Sequence, residues 1–204
     1  MRNHIDITPE NQQSKWSESI DFSDNLQNSL GEGVSYIWPP SFEDAEQIAK
    51  VVKNAWLETY PNPEQWVYKE DLIQKFQNQN EHTRIFEKLI EKIDQNTCFL
   101  VAKSWNETVW VVYAKLDEGK PFLIMLYIDP EYQWKKIWSK LMEQFFDFYS
   151  EYDELFLEVA SYNEKAINFY KKFWFEETWE SWYHTINENV KMPKIKLKYQ
   201  NHKN

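Results

Sequence analysis

Apolar residues recur at helical spacing along Ala45, Ile48, Ala49, Val52, Ala55 and Trp56, a one-sided pattern that predicts an amphipathic helix. Ser41, with Asp44 three positions on, supplies its N-cap. Lys69–Phe76 and Arg84–Ile93 form two further helical stretches, the second with Ile85, Leu89 and Ile93 on one face. The period then changes. Thr97–Lys103, Glu107–Leu116 and Pro121–Asp129 are rich in Val, Ile, Phe and Tyr, and short connections at Ser104-Trp105-Asn106 and Asp117-Glu118-Gly119 join them. This predicts an antiparallel meander. Downstream, Lys135–Tyr149 is helical with Ile137, Leu141, Phe145 and Phe148 as its apolar face. Leu155–Ala160 reads as a strand, Asn163–Phe173 as a helix, Phe175–Ser181 as a strand, and Ile195–Tyr199 as a last strand after Pro193. With a short strand at Val34–Ile37, the order is strand, helices, three strands, helix, strand, helix, two strands. That is a mixed α/β arrangement.

Composition bounds what this domain does. A chain of 204 residues is one domain with room for a sizeable core. Residues 1–33 are polar, with few large aliphatics, and are expected to be disordered. Gly31-Glu32-Gly33 leads into the domain at 34–200, and 201–204 is expected to fray. The net charge of −10 argues against nucleic acid and against an anionic membrane surface. No apolar stretch approaches the roughly 18 residues of a spanning helix, and Met1–Asp6 lacks a signal-peptide core. One cysteine, Cys98, excludes a disulfide framework and suits a reducing cytoplasm. It opens the run Cys98-Phe99-Leu100-Val101-Ala102, so it reads as a buried strand residue. No His/Cys/Asp cluster has metal-ligand spacing.

Two segments carry chemistry. The run Tyr127-Ile128-Asp129-Pro130-Glu131-Tyr132-Gln133-Trp134-Lys135-Lys136-Ile137-Trp138-Ser139-Lys140-Leu141 reads as a strand, a tight turn and the first turn of a helix. Backbone N–H groups at such a turn, backed by the helix dipole, hold a pyrophosphate without a metal. Side chains must stay clear, which is why these loops use glycine. With glycine at 134 and 138 the run resembles the acetyl-CoA loop of the GNAT acetyltransferase superfamily, Gln/Arg-x-x-Gly-x-Gly/Ala. The family's first glycine then falls on Lys136, a departure that an outward-pointing lysine tolerates, and the second on Trp138. The other segment, Leu155-Phe156-Leu157-Glu158-Val159-Ala160-Ser161-Tyr162-Asn163-Glu164-Lys165-Ala166-Ile167-Asn168-Phe169-Tyr170-Lys171-Lys172-Phe173-Trp174-Phe175, resembles the family's L-x-V-x-x-x-N-x-x-A-x-x-x-Y-x-x-x-G-F. Val159, Asn163, Ala166, Tyr170 and Phe175 match, and Trp174 stands in the glycine position. The two motifs follow the family's order and spacing, and the likeness spans about residues 34–199.

The resemblance implies the GNAT fold, a mixed, mostly antiparallel central sheet flanked by helices. It also implies acetyl-CoA as cosubstrate, no metal, and an amine acceptor, with the protein a monomer or homodimer. Cofactor contacts carried over by the motifs are the strand backbone at Leu126, Tyr127 and Ile128 and the loop Gln133, Trp134, Lys135, Lys136, Ile137, Trp138 and Ser139. Asn163, Ala166 and Tyr170 complete them. The implied reaction is direct attack of the amine on the thioester in a ternary complex. Tyr170 is the implied general acid and Glu158 the implied base, acting through water as in protein N-terminal acetyltransferases of the superfamily. Glu158 alternates with Leu157 and Val159, so it faces away from them; it also reads as a solvated strand residue. Asn163 doubles as a helix N-cap, and Tyr170 also reads as a core residue. Tyr127 and Glu131 are alternative bases, and His184 carries no assigned role. Leu57–Arg84 is expected to form the acceptor side, for a protein N-terminus, a polyamine or a small metabolite.

The tryptophans bear on whether this site works. The chain has 3 Gly and 11 Trp, whereas average usage of about 7% predicts roughly 14 glycines. Trp105 falls where two strands reverse, Trp174 just past a helix, and Trp179 at another family glycine. A gene that uses UGA for glycine, translated by a table that reads UGA as tryptophan, would print Trp at 105, 134, 138, 174 and 179, and also at 66 and 110. Trp56 resembles a genuine family tryptophan, and Trp16, Trp38 and Trp182 stay unassigned. Genuine tryptophans would instead make a catalytically dead binding module. Exposed aromatics stacking on carbohydrate are a third possibility, which the two motifs oppose.

Overall fold

The computed structural model describes residues 36–132 and 137–200. Residues 1–35 and 201–204, which include the expected disordered extension and frayed tail, lie outside the described residues.

Seven strands form one sheet: β1 (Tyr36–Trp38), β2 (Cys98–Ser104), β3 (Glu107–Asp117), β4 (Lys120–Ile128), β5 (Glu154–Ala160), β6 (Phe175–Thr185) and β7 (Lys191–Gln200). Their order across the sheet is β1-β2-β3-β4-β5-β7-β6. Every neighbouring pair is antiparallel except β4 and β5. The helices are α1 (Ala45–Thr59), α2 (Lys69–Lys75), α3 (Gln79–Glu91), α4 (Ile137–Phe148) and α5 (Glu164–Lys171). This is the mixed α/β architecture expected from the pattern, with helices on both faces.

The apolar run in β2 shows why. Leu100 and Ala102 pack with Val112, Leu141, Phe145 and Ile167 on the α4/α5 face. Phe99 and Val101 pack with Ile48, Val52, Trp56 and Phe86 on the α1/α3 face. A strand covered on both sides loses the alternation of a half-exposed one and becomes a continuous apolar run. Cys98 is one of these fully buried strand residues, as expected, and burial pushes its thiol up, away from the reactive thiolate. The start of α1 is fixed by Asp44, whose carboxylate accepts from the Ser41 N–H (2.8 Å) and hydroxyl (3.0 Å). The same carboxylate pairs with Lys103 on β2.

Three boundaries differ from expectation. α3 begins at Gln79, five residues early, because the Asn78 side chain accepts from the Glu81 N–H (3.2 Å) and caps a turn that lacks apolar residues. β6 runs on to Thr185. β7 begins at Lys191 and passes through Pro193. Proline is tolerated inside this strand because β5 ends opposite Lys194, and only the Pro193 carbonyl is needed on that side, accepting from the Ser161 N–H (3.0 Å).

Candidate functional site

β4 and β5 pair only at Phe122–Phe156 and Leu123–Leu157. Beyond those residues β4 stays with β3 as far as Ile128, while β5 stays with β7 as far as Ala160. The two strands therefore part, and among the described residues no strand pairs with the β5-facing edge of Ile124–Ile128. Unpaired backbone groups at such an edge must find partners, and a ligand's amides can supply them.

Side chains from opposite faces lie near enough at this gap to influence one another's charge. Tyr170, on α5, belongs to the α4/α5 face, with ring contacts to Phe169 and Phe175. Tyr127 on β4 and Tyr60, which ends α1, belong to the other face. The Tyr60 and Tyr127 hydroxyls lie 3.2 Å apart. Burial raises the Tyr170 phenol, and Tyr127 raises it further. Burial also raises Tyr60, with contributions from Tyr127 and then Tyr170. Burial raises Tyr127 too, although hydrogen bonds with Tyr60 and Trp56 pull the other way. All three are therefore protonated at neutral pH. A hydrogen-bonded sheet keeps its faces apart; residues of both reach one another where strands separate.

The other sequence-derived positions fall around the same gap. Asn163 is the N-cap of α5, its Oδ1 accepting from the Ala166 N–H (3.1 Å), and Ala166 packs against the α4/α5 core. Leu126 and Ile128 are buried in that core while Tyr127 points to the opposite face. Glu158 does face away from Leu157 and Val159, and the Lys194 ammonium lies 3.2 Å from its carboxylate. Glu131 is exposed, and it lines a polar cavity with Gln47, Lys50 and Asn54 of α1. Gln133, Trp134, Lys135 and Lys136 lie outside the described residues, as does the Ile137 side chain. Trp138 and Ser139 are on the first turn of α4, half-buried. The Trp138 ring meets Phe169 of α5 edge-on, with centroids 5.5 Å apart.

The segment expected on the acceptor side is joined to parts of the chain that the sequence pattern did not connect with it. The Tyr162 hydroxyl donates to the Tyr60 carbonyl (2.7 Å), and the Asn187 amide, after β6, donates to Asp71 on α2 (3.2 Å). Trp56 touches Tyr60, Phe76 and His184, with centroids at 4.7, 5.6 and 5.7 Å. The Lys75 ammonium sits over the Trp56 ring at 5.4 Å. Burial lowers Lys75, and the charge of Lys194 lowers it further. The buried Nε2 of His184 has no hydrogen-bond partner. Tyr60, Lys75, His184 and Lys194 thus come from four separate parts of the chain. Tyr60 and Lys75 fall inside the expected acceptor segment, and His184 and Lys194 do not.

Burial, with repulsion from Lys194 and Lys75, pulls His184 down to about 4, against about 6.5 in an unfolded chain. Between those values the unfolded chain binds a proton that the fold refuses. The stability this represents is complete above about pH 6.5 and is lost as pH falls toward 4. His184→Gln is expected to flatten that part of the stability profile, measured as urea midpoint against pH. An unchanged slope would remove His184 from the account.

The acetyltransferase (GNAT) family model matches residues 36–175. The chain belongs to this family. Solved structures agree on the GNAT fold. The PaiA N-acetyltransferase of Thermoplasma acidophilum in complex with coenzyme A is 20% identical, with TM-score 0.55 over 81% of this chain and 98% of that one. The ribosomal-protein-S18-alanine N-acetyltransferase of Escherichia coli is 15% identical, with TM-score 0.55 over 81% and 92%. An N-acetyltransferase of Staphylococcus aureus Mu50 is 16% identical, with TM-score 0.60 over 81% and 97%. A search of the curated proteins finds no match. Among the described residues no helix of this GNAT chain is long and apolar enough to cross a membrane.

Proposed function

We propose that this chain transfers an acetyl group from acetyl-CoA to an amine by direct attack in a ternary complex, in the cytoplasm. The observation that carries the proposal is the parting of β4 from β5, with Tyr170 close enough to Tyr127 and Tyr60 for their charges to be felt across the gap. Acetyl-CoA supplies an activated thioester carbonyl. The free edge of β4 at Leu126–Ile128 aligns the pantetheine amides. Asn163 spends its oxygen on the helix cap and keeps its NH₂ for the same arm. Tyr170, held protonated, donates to the charge that develops on the leaving sulfur. Glu158 takes the ammonium proton through water, with Lys194 positioning its carboxylate.

The acceptor side also leans toward one class of amine. The Lys75 ammonium lies over Trp56 and is lowered by the charge of Lys194, and among the described residues Glu158 pairs with Lys194 alone. That favours an amine carrying a carboxylate and disfavours a polyamine. A thiol-release assay, using protein with glycine at 134 and 138, is expected to show a kcat/KM at least ~10-fold higher for a carboxylate-bearing amine than for spermidine, equivalent to ~1.4 kcal/mol. A preference for spermidine would overturn the acceptor class alone. No thiol release with any amine would overturn acetyl transfer. One observation favours a second reading, a non-catalytic binding module: the Trp138 indole stands on the first turn of α4, where the phosphate cradle needs a small residue.

A further inference from the structure

Backbone conformation sorts the tryptophans into two groups. Five non-glycine residues among those described have a left-handed φ, and four of them are tryptophan: Trp66 (57°), Trp105 (57°), Trp174 (64°) and Trp179 (67°). The fifth, Glu118, shares a hairpin turn with Gly119. Only a few per cent of non-glycine residues adopt φ > 0, and for a bulky side chain it is an outlier. Nine tryptophans are described, so fewer than one is expected there. None of the described phenylalanines or tyrosines adopts it.

Each of the four occupies a different niche that glycine fills elsewhere. Trp105 opens the two-residue loop between Ser104 and Glu107 and has positive φ at the first central position alone, the type II′ geometry that takes glycine there. Trp174 follows α5, its N–H donating to the Lys171 carbonyl (3.1 Å), in the left-handed position past a helix end. Trp66 closes the 3-10 turn Pro63–Gln65 with φ 57° and ψ 30°. Trp179 sits where the β6–β7 register shifts between Glu177 and Ser181, the site of a bulge whose left-handed residue is glycine.

Burial gives an independent second sorting. The four are 74% (Trp66), 83% (Trp105), 80% (Trp174) and 93% (Trp179) exposed, although tryptophan is on average highly buried. Trp56 and Trp110 are buried in helix and strand with ordinary φ. Their side chains build the core, whereas the other four side chains lie mostly in solvent. Trp110, grouped with the glycine positions from sequence, falls with Trp56 on both criteria.

We propose that the native polypeptide carries glycine at 66, 105, 174 and 179, decoded from UGA. The cell that makes it must then charge a UGA-reading tRNA with glycine. The assignment is independent of acetyl transfer, because it concerns turns and a bulge rather than the site.

The decisive measurement is the peptide mass at these positions in protein isolated from its own cells, read beside the codons. Glycine masses at UGA codons, with a tryptophan mass at a UGG codon for Trp56, are expected. Tryptophan masses at any of the four overturn the assignment there, including the case in which UGA is read as tryptophan. Recombinant variants give a second test. Trp66→Gly, Trp105→Gly, Trp174→Gly and Trp179→Gly are each expected to raise Tm relative to protein with tryptophan at all four, while Trp56→Gly lowers it. Truncating an ordinary exposed residue to glycine lowers Tm, so a fall at the four positions would overturn the proposal whatever the enzyme does.

Discussion

Protein with glycine at 134 and 138 is expected to gain about 5–10 °C in Tm from acetyl-CoA at a hundred times its Kd, and protein with tryptophan at both is expected to gain nothing. A ligand at that concentration stabilises the fold by about 2.7 kcal/mol, and a domain of this size shifts by about 2–4 °C per kcal/mol. The physical reason lies at the N-terminus of α4. Pyrophosphate would be bound there by main-chain N–H groups, which have to be approached closely by the phosphate oxygens. The Trp138 indole lies on the first turn of α4 against Phe169, where it would obstruct that approach. Removing it opens the approach without touching the gap between β4 and β5. Differential scanning fluorimetry with acetyl-CoA, and with desulfo-CoA as a non-reacting control, reads the effect. A shift of equal size in the tryptophan form would show that the indole does not obstruct the cofactor. No shift in either form would remove the cofactor site.

What the sequence disclosed follows from how far each signal reaches along the chain. Helices and strands with a regular apolar period were legible: α1, the β2–β4 meander and α4 stand where their periodicity put them. α3 was misplaced at its start because its first turn, Gln79 to Thr83, is polar and is held by the Asn78 cap rather than by packing. β6 was cut short because its outer half is largely exposed on a sheet edge, where burial imposes no apolar run. Tyr170 and Asn163 were legible because the motif that contains them is contiguous. His184 and Lys194 were not, and Tyr60 and Lys75 were legible only as members of the expected acceptor segment, since the fold collects the four from separate elements and each looks ordinary in its own. The left-handed tryptophans were legible in part: the hairpin, helix-end and family-glycine positions gave Trp105, Trp174 and Trp179 local grammar, and Trp66 followed a Pro-rich turn. Trp110 had no such grammar and proved to be a core side chain.

Tyr170→Phe, made in protein with glycine at 134 and 138, is expected to lower kcat by about 10²–10⁴-fold, the usual contribution of a positioned acid or base, while acetyl-CoA still stabilises the fold. The ring contacts with Phe169 and Phe175 are apolar and survive the substitution, so folding is little affected. What is lost is the O–H that reaches the gap beside Tyr127 and Tyr60. The pH profile separates this role from simple packing. With the phenol raised by burial and by Tyr127, the alkaline limb, where activity is lost as the acid deprotonates, lies above the usual tyrosine range. Activity that rises with pH as the acceptor amine deprotonates is therefore expected to reach a plateau and hold it past pH 10. Tyr127→Phe serves as the comparison. It removes the hydroxyl hydrogen-bonded to Tyr60 (3.2 Å) and one of the influences that raise Tyr170, and it is expected to cost less in kcat. Pre-steady-state thiol release against pH measures both. If Tyr170→Phe leaves kcat within a factor of about three, the proton reaches the sulfur by another route, and the gap between β4 and β5 holds the cofactor without supplying the acid.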